Sequence, residues 1–104
     1  MPKILLTATT DATASDEFTA ADQRPGRTTL PAHFTCPEIA TGEYGDVQKK
    51  SADGTWYDYY VDGTQQRVTD TNTGVTVYGP GIYRVNKEAT AAATSVEVSF
   101  EGNP

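Results

Sequence analysis

Ser51–Thr64 reads SADGTWYDYYVDGT, two Asp-Gly turns bracketing one short run dense in aromatic residues. Asp-Gly between alternating apolar residues signals a β-hairpin, because a type I′ turn needs positive φ at both central positions. Two such turns in succession predict that Trp56–Val61 is the middle strand of an antiparallel meander. The chain is therefore expected to be all-β. Within the run, Tyr57, Tyr59 and Val61 share one face and Trp56, Asp58 and Tyr60 the other, since side chains alternate along a strand.

Working outward, the same alternation marks strands at Lys3–Thr10, Thr28–Cys36, Val47–Lys50, Gln66–Thr69, Val75–Tyr78, Ile82–Val85 and Ser95–Phe100. Leu5 faces away from Ile4 and Leu6. Leu30, Ala32 and Phe34 oppose Thr29, His33 and Thr35, and Val96, Val98 and Phe100 point inward. Pro31 cannot donate to a ladder, so its strand is expected at an edge or with a bulge. Residues 11–22 read as a loop holding a short strand at Glu17–Ala20, and residues 88–94 as a loop. Arg24–Arg27, Thr71–Gly74 and Gly79–Gly81 read as turns. About eight strands at this spacing imply an antiparallel sandwich or small barrel.

The chain has 104 residues, enough for one domain spanning residues 1–104, with no internal repeat or linker. Thr is its commonest residue, and hydrophobic residues make up 37%, so a thin sandwich with a polar surface is expected. A net charge of −6 with scattered basic residues argues against nucleic acid and anionic membranes as partners. A single cysteine, Cys36, excludes an intramolecular disulfide and suits cytosolic assembly. The opening residues are too polar from Thr7 onward to read as a signal peptide, and no run is long enough for a membrane span.

Chemistry-bearing clusters are scarce. His33 and Cys36 lie three apart on an extended strand, on opposite faces, out of reach of each other as base and nucleophile. Neither a zinc set nor an EF-hand spacing is present, although Asp46, Asp53, Asp58, Asp62 and Asp70 raise the question of calcium. Asp53 and Asp62 are accounted for by their turns. No catalytic, cofactor or metal residue is expected. The aromatic stripe of Trp56, Tyr57, Tyr59, Tyr60, Tyr78 and Tyr83 reads as core, as a protein interface or as a sugar platform. Replacement of Trp56 by Ala separates the first two: a large loss of stability if core, little if interface.

Three segments together, SADGTWYDYYVDGT (51–64), GVTVYGPGIYRVNK (74–87) and SVEVSF (95–100), resemble a pattern found in small virion proteins of tailed bacteriophages, above all capsid decoration (cement) proteins. The resemblance covers the C-terminal half. It implies a β-sandwich, jelly-roll-like, with residues 1–22 as an extended N-terminal arm. It also implies a dimer or trimer on the capsid exterior, bound to the major capsid protein and bracing the shell. The partner-contact residues expected on this reading are Ile4, Leu5, Leu6, Trp56, Tyr60 and Tyr78. A tail or connector module and a carbohydrate-binding sandwich are the alternatives.

Overall fold

A computed structural model describes residues 3–20, 32–77 and 81–100, and of Phe100 the backbone alone. Tyr78, Leu30, Pro31 and the turn readings at residues 24–27 and 79–80 lie outside them. The described residues form strands β1 (Lys3–Thr9), β2 (Thr13–Ala14), β3 (Phe18–Ala20), β4 (Ala32–Thr35), β5 (Gly45–Lys50) and β6 (Trp56–Asp58). These are followed by β7 (Tyr60–Val61), β8 (Thr64–Gln65), β9 (Arg67–Val68), β10 (Gly74–Val77), β11 (Gly81–Lys87) and β12 (Thr94–Phe100). No helix is present among them, and hence none long and apolar enough to cross a membrane.

Two antiparallel sheets enclose the core. The first has the order β1-β12-β4-β10. In the second, β11 and β5 are central, flanked by β2 and β3 on one side and by β6 and β9 on the other. The chain crosses repeatedly between the two, as expected for a sandwich. Alternation supplies the core: Leu5, Phe34, Val75, Val77, Val96 and Val98 come from the first sheet, and Val47, Val68, Tyr83 and Val85 from the second. Four rings run through it. Phe18 meets Phe34 edge-on with centroids 6.0 Å apart, Phe34 lies 6.3 Å from Tyr83 across the sheets, and Tyr59 meets Tyr83 edge-on at 5.6 Å. Such tilted and edge-on pairs add stability beyond the area they bury.

The N-terminal segment is woven into both sheets. Lys3–Thr9 pairs with β12 as an edge strand whose register shifts twice, irregularities of the kind that protect an exposed edge. Leu5 is 2% exposed within the core, whereas Ile4 is 60% exposed, as their opposite faces require. After β2, Ser15 replaces a ladder bond with its side chain: its amide donates to Val85 O (2.8 Å) and its Oγ accepts from Val85 N (2.9 Å). The Asp16 amide then reaches across to Leu5 O at 2.8 Å, tying one sheet to the other.

Two expectations are corrected. The strand following Pro31 is not an edge: β4 is hydrogen-bonded on both sides, to β12 and to β10, while a bulge at the proline itself lies outside the described residues. Nor is Trp56–Val61 one continuous strand. It breaks at Tyr59, because β5 changes partner there.

Candidate interaction surface

The break at Tyr59 carries exposed apolar side chains, Tyr60 and Val61, out of the sheet. β5 pairs with β6 through Gln48, Lys49 and Lys50 and with β9 through Gly45 and Asp46. Between the two, Val47 serves both neighbours: its carbonyl accepts from Tyr59 N (2.9 Å) and its amide donates to Gln66 O (3.0 Å). Gln66 N donates in turn to Tyr59 O at 2.8 Å. The chain thus leaves the sheet at Tyr59, turns through the two-stranded ribbon β7–β8, and returns at Gln66. Tyr60 and Val61 stand on that ribbon, 55% and 41% exposed, beside Tyr57 at 57%.

Register explains the position of Tyr57. Lys49 and Tyr57 are cross-strand partners on the face that also carries Val47, but they sit at the rim, past the reach of the opposite sheet. An open groove of about 230 Å³ runs there, walled by Lys49, Tyr57, Tyr59 and Tyr60. The Lys49 ammonium lies 5.6 Å from the Tyr83 ring centroid and has no carboxylate partner among the described residues, whereas Lys50 pairs with Glu17 at 3.4 Å.

The outer face of the same sheet is polar and cross-braced. Arg84 lays its guanidinium 4.3 Å from the Trp56 ring centroid, with the Lys50 ammonium at 5.8 Å. Arg84 Nε donates to Gln48 Oε1 (2.8 Å), and Gln48 Nε2 to Asp58 Oδ1 (3.1 Å). Nearby, Arg67 stacks at 4.1 Å on Tyr44 and donates from Nε to Asp46 Oδ1 at 2.8 Å. Burial raises the Asp46 carboxyl above its ordinary value, and Arg67 opposes that shift only in part. Trp56 is therefore a half-buried ring beneath a cation, neither core nor open surface.

The two Asp-Gly turns differ in construction. At Asp62-Gly63 both φ values are positive, +51° and +81°, and Val61 pairs directly with Thr64, the type I′ hairpin expected. At Asp53-Gly54 only Gly54 is left-handed, with φ +89°. There Gly54 N donates to Ser51 O (3.0 Å) and Ser51 N to Thr55 O (2.8 Å), a three-residue loop closed by a glycine bulge. The Asp53 carboxylate accepts from Ser51 Oγ and from Thr55 N. These bonds, Ser51's foremost, hold its carboxyl below the ordinary range.

The remaining candidates are dispersed. His33 Nδ1 lies 2.7 Å from Thr76 Oγ1 on the outer face of the first sheet, while Cys36 is buried and its thiol is pushed up to about 11 by desolvation. Asp46 is held by Arg67, Asp58 by Gln48 and Asp70 by Thr41 Oγ1 at 3.0 Å. Among the described residues no three His, Cys, Asp or Glu side chains group as metal ligands. Of the contact residues expected from sequence, Tyr60 is exposed on the ribbon, Trp56 is half-buried, Ile4 is exposed on β1, Leu6 packs against the core and Leu5 lies inside it.

Sequence reading places Tyr57 in the aromatic stripe but not among the expected contact residues, and gives no signal for Val61, whose exposure follows from the break at Tyr59. It also passed over Lys87, 1% exposed, whose ammonium donates to Asp11 O (2.9 Å) and Glu88 O (3.0 Å). Its phase with Tyr83 and Val85 was the available clue. No known family model matches the chain, and neither curated proteins nor solved structures give a match.

Proposed function

We propose that this protein is a non-catalytic structural component of a phage virion, docking on the outer surface of the capsid and bracing it by bridging major capsid subunits. The observation that carries the binding half of this reading is the ribbon and its groove. Tyr57, Tyr60 and Val61 are held outside the core, where their apolar area is available to a partner; Tyr is among the residues favoured at interfaces. The resemblance of residues 51–64, 74–87 and 95–100 to capsid decoration proteins supports the choice of capsid. A dimer or trimer engaging about 800 Å² per partner would be modest singly and substantial when repeated around a shell.

The finer features belong to the same reading. Repeated crossing between two antiparallel sheets suits a jelly-roll-like connection. A clamping arm formed by residues 1–22 would have to unpair β1 and expose Leu5, at a cost of about 1.5–3 kcal/mol for that side chain alone. Contact through Ile4, with β1 left in place, avoids that cost. The sugar-platform alternative is weakened by Arg84, which occupies the indole face that a sugar ring would stack on.

Undecorated capsids of the phage that encodes this chain, incubated with the purified protein and imaged, provide the test. Added density on the shell exterior supports the proposal. Binding to isolated tails with bare capsids would transfer the protein to the tail.

A further inference from the structure

Asp-Gly-Thr occurs twice, at residues 53–55 and 62–64. Identical tripeptides have the same local chemistry, so any difference in their reactivity comes from the fold around them. We propose that Asp62 is a site of spontaneous isoaspartate formation in the native protein and that Asp53, in the same tripeptide, is protected from it.

The reaction needs no external reagent but water. The Gly63 nitrogen attacks the γ-carboxyl carbon of Asp62. A new N–C bond forms, and one carboxyl oxygen leaves as water, taking the amide proton and the carboxyl proton. Water then adds to one of the two carbonyls of the resulting cyclic imide. Cleavage between the nitrogen and the γ-carbonyl restores aspartate. Cleavage between the nitrogen and the α-carbonyl leaves the main chain running through the side-chain carbon, with no net change in mass. Glycine permits the approach because it presents no side chain, and both turns share that feature.

They differ in everything that restrains the step. The Asp53 carboxylate is held by Ser51 Oγ and Thr55 N, and the nucleophilic amide of Gly54 is occupied in donating to Ser51 O. Attack also requires the protonated carboxyl, which these bonds disfavour at residue 53. No hydrogen bond or ion pair holds the Asp62 side chain among the described residues, and Gly63 N makes no turn hydrogen bond there.

The ribbon carrying Asp62 has only two residue pairs, Tyr60 with Gln65 and Val61 with Thr64. A pairing that short, with its apolar side chains already largely in water, opens locally at little cost. The extra main-chain carbon would then not fit a two-residue type I′ loop, so the register of Tyr60 and Val61 would be lost. On the function proposed above, modified protein would bind its partner less well, and bound protein would be spared.

The full chain is aged at mildly acidic pH, folded and in urea, and isoaspartate at each position is quantified by peptide mapping with electron-transfer fragmentation. Folded protein is expected to accumulate isoaspartate several-fold faster at residue 62 than at residue 53, with the two rates converging in urea. In folded Ser51→Ala protein, the rate at residue 53 rises and that at residue 62 does not. Equal rates in the folded chain, faster reaction at residue 53, or an unchanged difference in urea would overturn the proposal. These readouts are chemical, so they stand whatever the capsid experiment returns.

Discussion

The two Asp-Gly-Thr turns differ more than their sequence allows one to expect. The first, at residues 53–55, closes a hairpin whose strands belong to the body of a sheet, and it is locked by its own aspartate and by Ser51. The second, at residues 62–64, closes a ribbon that has left the sheet and rests on two residue pairs. The tripeptide sets where the chain reverses; the partners of the flanking strands set how rigid the reversal is. On the anchored side aromatic area is used for the fold, with Trp56 beneath Arg84 and Tyr59 against Tyr83. On the free side Tyr60 and Val61 face water, next to Tyr57 at the rim of the anchored strand β6.

Tyr59 stands where the two regions part, so its replacement tests the contrast most severely. Tyr59→Ala removes an edge-on ring contact with buried Tyr83 and is expected to cost about 2–4 kcal/mol in urea unfolding. A loss below about 0.5 kcal/mol would mean that the ribbon is not hinged on the core. Trp56→Ala comes next. A half-buried ring under two cations is expected to contribute about 1–2 kcal/mol, between the values for a core ring and for a bare interface ring. A larger loss would return Trp56 to the core.

Acid distinguishes the turns more gently. Because the folded Asp53 carboxyl titrates below its ordinary value, its contribution to stability is fully present above the ordinary carboxylate range. That contribution is lost as the pH falls through the lowered folded value. The Thr55 amide resonance should follow this titration by NMR, at a higher pH in Ser51→Ala protein, whose main lowering contact is gone. A Thr55 resonance insensitive to acid would remove the lock from the first turn.

Much of the fold was legible because period-two patterning and turn chemistry agree with each other. Val96 and Val98, Ala32 and Phe34, and the opposition of Leu5 to Ile4 all follow from side-chain alternation. The β-hairpin at Asp62-Gly63 follows from its dipeptide. The break at Tyr59 was not legible, because it depends on which segment β5 pairs with beyond Val47, a contact between residues distant in sequence. The same holds for β4, which Pro31 suggested as an edge or bulged strand and which is hydrogen-bonded on both sides. Burial of Lys87 was hidden by its residue type, since an ammonium is seldom enclosed unless paired; here two main-chain carbonyls hold it. At the surface, Tyr60 and Tyr57 belonged to the legible aromatic stripe, but which of its rings are exposed was not legible, because that depends on the rim at Tyr57 and on the break that carries Tyr60 and Val61 onto the ribbon.

The central claim is that the free side of this contrast is a contact surface for a capsid. On the proposed reading, its most direct test is the occupancy of wild-type protein and of Tyr57→Ala/Tyr60→Ala protein on undecorated phage capsids. The double variant lacks two rings that lie outside the core and is expected to melt within a few degrees of wild type. It should bind at least tenfold more weakly, a loss of about 1.4 kcal/mol or more. Equal occupancy by the two proteins, or no binding by the wild type, would contradict the account.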